Sequence, residues 1–576
     1  MVEAVRGRLR FMLGVFGVLT GLIIFRLVSL QFGSAVAFFE KQYQQATSYR
    51  VEIPSPRGRI FDHNGDLLAT NGVQYAIGIS PDLATNADEL AQTLQSVLGV
   101  DAAEVHTLMA QRDKDGHILK YVLVRQPVSA ELGDKLLAMK DDPNGPALGG
   151  LVVEPLQTRV YPANKLAAHV LGFVGYDNKG YYGVEEFYNE ILAGHSVVGI
   201  KQVVPFDVAL NPSPDHGADL YLTLDRDIQF LVEQTLANAV QRYGAEGGTI
   251  IVMEPETGRI LAMAANPAFD PNNFLNEPDA VRSNAAISDQ FEPGSGFKVL
   301  TMAAALQSGT VTPDSTYLDT GYIEVGGVGI TNWNGAAWGP QDMTGLLQHS
   351  LNVGAAWLST RVGPQSFYSY LSAFGIGQAT NIDLSGEATG RVKRPGDPDW
   401  YESDLGTNAF GQGVATTPIQ LLTAISAVAN GGAMMQPHLL EKVVDEDVAH
   451  TTQPQVLGRP ISADVANALS AMLAASVERE ASAALLPGYH LAGKTGTAQI
   501  PIPGGYDKVK TIATFVGWGP IDDPKFIVLV KLDKPSASIW GSETAAPTFG
   551  ELVRRLVVLM EIPPDEVRGQ LAASGQ

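Results

Sequence analysis

The apolar stretch that begins at Phe11 constrains this chain more than any other feature. From Phe11 to Phe25 it is interrupted only by Thr20 and three glycines, and after Arg26 it resumes as Leu27-Val28-Ser29-Leu30-Gln31-Phe32. A helix over residues 11–32 would be about 33 Å long, enough to cross a hydrocarbon core of about 30 Å. Arg6, Arg8 and Arg10 precede it, which keeps residues 1–10 in the cytoplasm and sends the remainder outside. No small-residue cleavage site comes after it, so the segment reads as an uncleaved, single-pass anchor. Arg26 lies near the outer end, where a long side chain reaches the headgroups.

The chain beyond the anchor is long enough for two or more domains, and 45% hydrophobic residues against 17% charged allow sizeable cores. A formal net charge of -22, with no basic cluster beyond the first residues, excludes nucleic acid as a partner. The chain has no cysteine, which rules out disulfides, zinc-thiolate sites and thiol catalysis.

The sharpest chemical signal is Glu292-Pro293-Gly294-Ser295-Gly296-Phe297-Lys298, followed by an apolar run from Val299 to Leu306. Pro293 and Gly294 break the preceding element, and the run reads as a buried helix that stops near Gly309. Ser295 then sits at the helix start, with Lys298 three residues on and on the same face. Lysine acts as a base only when neutral, and its reference pKa is about 10.4. Burial and a second nearby cation would both lower it. Two further stretches stand at the ends of predicted elements. Ser350-Leu351-Asn352 separates apolar helical segments at 343–349 and 353–362. Lys494-Thr495-Gly496-Thr497 comes directly after the strand-like Tyr489 to Ala492 and Gly493.

Ser-x-x-Lys, Ser-x-Asn and Lys-Thr-Gly in that order make up the motif set of serine β-lactamases and penicillin-binding proteins, and the chain resembles a class B penicillin-binding protein. Arg57-Gly58-Arg59-Ile60-Phe61-Asp62-His63-Asn64-Gly65-Asp66-Leu67-Leu68-Ala69 reads as a hairpin around an Asn-Gly turn. It is similar to the opening of that family's pedestal domain, with His63 where arginine is usual. Helical and strand-like pieces at 87–98, 102–110, 120–125 and 130–139 suggest a small inserted lobe. Arg57, Arg159 and Glu185 are candidates for a buried ionic cluster.

The expected organisation is a cytoplasmic N-terminus at 1–10 and a transmembrane helix at 11–32. A pedestal at 33–210 comes next, of α+β type, related to the penicillin-binding protein dimerisation domain and carrying a head lobe at about 72–150. A linker at 211–217 leads to a transpeptidase domain at 218–562 and a C-terminal tail at 563–576. Asp225 should cap a helix whose face includes Ile228, Val232, Leu236 and Ala239. Strands at 249–253, 259–265, 491–499, 512–517 and 526–532, with a helix opened by Pro547, complete an α/β arrangement. Its antiparallel sheet is flanked by helices and joined to a helical lobe, which is what the family's penicillin-binding fold implies.

The resemblance implies a peptidoglycan D,D-transpeptidase of the division or elongation machinery. Ser295 would attack the penultimate carbonyl of a stem peptide ending in D-Ala-D-Ala, release terminal D-Ala and pass the acyl group to an amine. Lys298 is the candidate base, Ser350 a proton relay and Asn352 a partner to Lys298 and substrate. Lys494 supplies positive charge near Ser350 and the substrate carboxylate. Thr495 and Thr497 would offer hydroxyls to that carboxylate, and Gly496 would let an extended peptide approach the strand edge. The N–H groups of Ser295 and Thr497 would form the oxyanion hole. No metal or organic cofactor is implied; β-lactams and a glycan polymerase of the SEDS type, met through the anchor and pedestal, are implied partners. A carboxypeptidase or β-lactamase would use the same serine and hand the acyl group to water, and a non-catalytic membrane scaffold or penicillin sensor would instead activate a glycan polymerase through its anchor and pedestal. Gly296 and Leu351 depart from the usual pattern without removing a reacting group. Phe410-Gly411-Gln412-Gly413 reads as tight turns, and Trp333, Trp338 and Tyr401 as aromatics near a cleft or in a core.

Overall fold

The computed structural model describes residues 2–32, 48–53, 55–202 and 215–574. It divides into two compact units, Met1–Pro56 with Gly194–Gly217, and Arg57–Ala193 with Ala218–Gln576. Residues 33–47 and 203–210 of the expected pedestal and 211–214 of the expected linker lie outside the described residues.

In the first unit, a helix runs from Val2 to Phe32, and strands Ser48–Ile53 and Val197–Gln202 pair antiparallel. Within that helix, Arg6–Ser29 has a mean hydropathy of 2.3 and is, among the described residues, the one helix long and apolar enough to cross a membrane.

The second unit begins with the expected hairpin. Its strands are Ile60–Phe61 and Leu67–Ile79, and Asp62 Oδ1 accepts from the N–H groups of Asn64 and Asp66 to close the turn. The sheet that grows from it was not legible from the chain order. Ile60–Phe61 pairs in parallel with Asp219–Leu222, which leads on to Leu440–Asp445 and Val448–Thr451. On the other side Leu67–Ile79 pairs with both Val122–Val128 and Leu151–Val160. The inserted lobe has the anticipated helices, Ala87–Leu98, Ala102–Met109 and Ala130–Asp141, begun by side-chain caps from Asn86, Asp101 and Ser129. Its separate core gathers Ile77, Leu90, Leu94, Val105, Val122 and Leu136.

Glu185 lies at the base of this region, wholly buried, and receives both arginines. Arg57 Nε donates to Oε2 at 2.6 Å and Arg159 Nε to Oε1 at 2.7 Å. Asn189 and Asn71 take further guanidinium N–H groups, and Tyr161 donates to Oε1 at 3.3 Å. The predicted ionic cluster is thus present, each arginine holding a carboxylate oxygen and a neutral acceptor.

The five-stranded antiparallel sheet comprises β1 (Gly247–Met253), β2 (Ile260–Asn266), β3 (Ala492–Ile502), β4 (Gly505–Gly519) and β5 (Phe526–Asp533), in the order β2-β1-β5-β4-β3. Strand alternation feeds two cores. Ile250 and Val252 face one side, with Val528 and Val530, beneath helices α1 (Arg226–Tyr243) and, at the far end of the chain, Ala545–Leu559. Ile251 and Met253 face the other, with Ile527 and Leu529, against α2 (Lys298–Gln307) and the buried helix Pro418–Ala429. Asp225 caps α1 as expected, accepting from the N–H groups of Asp227 and Ile228. The last helix of this layer begins at Ala545, two residues ahead of Pro547, which falls in the first turn where its missing N–H costs nothing. The segment read as a tail carries a further helix, Asp565–Ser574.

Candidate active site

The Ser-x-x-Lys segment does not enter a regular helix directly. Gly294 adopts φ +55, and residues Gly294–Phe297 make one 3₁₀ turn before α2 starts at Lys298. Tight neighbours dictate this shape: a Cβ on Gly411 would stand 2.4 Å from the Gly294 carbonyl oxygen, and one on Gly496 2.9 Å from that of Pro293. The close approach that Gly496 permits here is therefore that of the serine turn to β3, and Thr514 Oγ1 fills the rest of the space. Nothing lies within 4 Å of a Cβ built on Gly296, so a larger residue would fit there, and Leu351 is fully buried, which accounts for its apolar character.

Ser350 and Asn352 occupy the corner between α3 (Met343–Gln348) and α4 (Asn352–Val362). Ser350 has φ +51, unusual for a residue with a side chain and costing on the order of 1–3 kcal/mol. The twist turns its carbonyl oxygen to within 2.5 Å of Lys298 Nζ. Asn352 Oδ1 is 2.8 Å from the same nitrogen, its amide oriented by Nδ2 donating to the Thr331 carbonyl at 3.2 Å. Ser295 Oγ lies 2.9 Å and Ser350 Oγ 3.2 Å from Nζ.

The donor count is informative. A neutral amine has two N–H groups and one lone pair. The Ser350 carbonyl and Asn352 Oδ1 can only accept, so they take both N–H groups and leave the lone pair to a hydroxyl. Lys298 is also 1% exposed, and among the described residues no carboxylate hydrogen-bonds to it. Burial first, and then the charge of Lys494, hold its pKa well below that of a free lysine, while Glu480 pulls weakly the other way.

Lys-Thr-Gly lies on β3, the sheet edge, in register with Val516, Phe515 and Thr514 of β4. Thr495 and Thr497 alternate into the cleft. Lys494 is buried, and its polar contacts are not to Ser350. Its ammonium donates to both oxygens of Glu480, at 2.9 and 2.7 Å, and lies 3.2 Å from Thr495 Oγ1. The Thr495 hydroxyl in turn donates to Glu480 Oε1 at 2.5 Å, so the positive charge and hydroxyl expected to face substrate are both engaged by one carboxylate. Thr497 Oγ1 accepts from the Gly541 N–H at 3.0 Å.

Ser295, Ser350, Asn352, Glu480, Thr495 and Thr497 line a cleft of about 510 Å³. Its walls include Trp333 and Trp338, which the sequence left between cleft and core, and Trp540 and His349, which it did not mark. Trp338 stacks on His349 with ring centroids 3.9 Å apart, and Trp333 meets Trp540 edge to face at 5.5 Å. Phe410 and Gln412 also line it, flanking Gly411 at φ +80, while Tyr401 does not. Glu292 ties the rim together, accepting from the Gly413 N–H at 3.0 Å and the Tyr506 hydroxyl at 3.2 Å; burial raises its pKa. Glu480 carried no signal in the sequence, since it belongs to none of the three motifs and its partner Lys494 lies on another element.

Fold and site together define a serine-centred cleft between a sheet edge and a helical lobe, and the comparisons give its class. Residues 248–554 match the penicillin binding protein transpeptidase domain, and residues 52–205 the penicillin-binding protein dimerisation domain. The chain is 32% identical to stage V sporulation protein D of Bacillus subtilis, over 97% of this chain and 87% of that one. It is 28% identical to peptidoglycan D,D-transpeptidase FtsI of Escherichia coli, over 90% and 86% respectively. Among solved structures it is similar to penicillin binding protein 3 of Mycobacterium tuberculosis complexed with aztreonam, with 28% identity and a TM-score of 0.69, covering 89% of this chain and 98% of that one. The chain belongs to the penicillin-binding protein transpeptidase family. With a dimerisation domain ahead of the transpeptidase domain, it is a class B member, as its motifs implied.

Proposed function

We propose that this chain is a peptidoglycan D,D-transpeptidase that cross-links stem peptides through an acyl-enzyme on Ser295 and is a target of β-lactams. The observation that carries this reading is Lys298: a buried amine 2.9 Å from the Ser295 hydroxyl, with acceptors for both of its N–H groups and no carboxylate to hold a third proton. Ser295 Oγ attacks the penultimate carbonyl carbon and its proton passes to Lys298 Nζ. As the carbon–nitrogen bond breaks, Ser350, 3.2 Å from Lys298, relays that proton to the departing D-Ala amine. The acceptor amine then attacks the ester carbonyl, gives up its proton along the same path and frees Ser295. The N–H groups of Ser295 and Thr497 hold the oxyanion, where single donors are typically worth about 10²–10³ in rate.

In the same reading residues 11–32 span the membrane, with 1–10 in the cytoplasm and the catalytic domain outside. The pedestal at 33–210 and transpeptidase domain at 218–562 follow that anchor in the chain, and the anchor with the pedestal meets a SEDS-type polymerase. The length and hydropathy of Arg6–Ser29 support the anchor. Mass spectrometry of the protein after penicillin treatment tests the chemistry. One long-lived adduct on Ser295, absent from Ser295→Ala, is expected; fast hydrolysis of the antibiotic would point to a β-lactamase, and no adduct to a non-catalytic scaffold.

A further inference from the structure

Glu480 is the final residue of α5 (Ala463–Glu480), an 18-residue helix. A carboxylate there faces the negative end of the helix dipole, a placement that costs about 0.3–1 kcal/mol at an exposed site. Two partners compensate. Both carboxylate oxygens accept from the Lys494 ammonium, and Oε1 also accepts from the Thr495 hydroxyl at 2.5 Å. The Lys494 side chain is wholly buried, whereas that of Glu480 is 18% exposed and lines the cleft. Of this pair, the member that lines the cleft is therefore the acid.

A hydroxyl has one proton to give. That of Thr495 is given to Glu480, so it has none for a second carboxylate while that bond stands. Thr497 differs: its oxygen accepts from the Gly541 N–H, which leaves its own proton uncommitted, and it lines the cleft. The same helix also holds the Ser-x-Asn corner. Gln348 Nε2, two residues before Ser350, donates to the Ala475 carbonyl at 3.1 Å, about a turn and a half ahead of Glu480. One helix thus grips two of the three motifs, α3 by an amide and the sheet edge by a carboxylate.

We propose, building on the acyl-transfer reading above, that Glu480 is a positioning residue that commits Lys494 and Thr495 to fixing the sheet edge against α5 and withdraws the Thr495 hydroxyl from recognition of the substrate's carboxylate, leaving that task to Thr497.

Stopped-flow acylation of the full-length chain by a fluorescent penicillin, which separates the pre-covalent dissociation constant Ks from the acylation rate k2, tests this. Thr497→Val loses a hydrogen bond to a charged group, so Ks rises about tenfold or more. Thr495→Val leaves Ks within about twofold and lowers k2, because what it loses is a strand fastening and not a ligand contact. Glu480→Gln lowers k2 about tenfold or more with Ks nearly unchanged, and Glu480→Asp recovers most of the loss. A rise of Ks in Thr495→Val equal to that in Thr497→Val, or an unchanged k2 in Glu480→Gln, overturns the proposal. If Glu480→Gln does not fold, the threonine pair decides alone. Absence of any Ser295 adduct in the unaltered protein would instead sink the acyl-transfer reading itself.

Discussion

Arg57, Arg159 and Glu185 form one set of two buried basic side chains and a carboxylate; Lys298, Lys494 and Glu480 form another. In the first, the carboxylate is shared: each arginine holds one oxygen, at 2.6 and 2.7 Å. In the second, it is not. Glu480 gives both oxygens to Lys494, at 2.9 and 2.7 Å, and among the described residues Lys298 hydrogen-bonds only to carbonyl, amide and hydroxyl oxygens. Residue type fits each arrangement. Arginine stays charged in proteins and reaches several acceptors with one planar group, which suits a permanent fastening. Lysine sheds its proton when buried without an anion, which suits a base. The same ingredients, two basic side chains and one acidic, give a fixed joint in one place and a reactive amine in the other, and what differs is how the carboxylate is divided.

That comparison can be broken at either end. The largest effect is expected at the undivided end. Lys298→Met should slow penicillin acylation by about 10²–10⁴-fold while the protein keeps its fold, as checked by rapid-quench labelling beside circular dichroism. Glu185→Gln leaves two guanidinium groups without their carboxylate. It should cost about 3–5 kcal/mol of stability, seen as a lowered melting temperature, with the acylation rate of the folded fraction unchanged.

Lys494→Met sharpens the electrostatic part. Acylation requires neutral Lys298, so its rate is lost as pH falls through the pKa of that residue. Removing the Lys494 charge leaves Glu480 unopposed, and both changes raise the Lys298 pKa, so the acid limb should move to higher pH. A limb that stays in place, or moves down, would show that Lys494 does not tune the base. The smallest effect belongs to Arg159→Lys. An ammonium can keep the ion pair with Glu185 but not also reach Asn71 Oδ1, now 3.1 Å from Nη1. The loss should be about 1 kcal/mol in chemical denaturation.

How much of this could be read from the chain alone depends on how local each signal is. The three motifs are contiguous, and each marks the end of an element by its own residues, so Ser295, Lys298, Ser350, Asn352 and Lys494 could be picked out before any geometry was known. The lobe helices were legible as local helical pieces at 87–98, 102–110 and 130–139, and each begins with a side-chain cap, from Asn86, Asp101 and Ser129. The seven-stranded sheet did not. One of its members is the two-residue strand Ile60–Phe61, and the strands beyond it, Asp219–Leu222 and then Leu440–Asp445, come from far along the chain. Glu480 stayed hidden for the same reason: its partner lies on another element 14 residues later, and no motif joins them. Trp333, Trp338 and Trp540 were equally opaque, because an aromatic residue looks the same in a sequence whether it fills a core or walls a cleft.

The most direct test is the pH profile of acylation of Ser295 in the unaltered protein, monitored by intact mass spectrometry. If Lys298 is held neutral by burial and by Lys494, the rate reaches its plateau well below the value of about 10.4 at which a free lysine titrates. A rate that is still climbing through pH 10, as a charged, solvated lysine would give, contradicts the account.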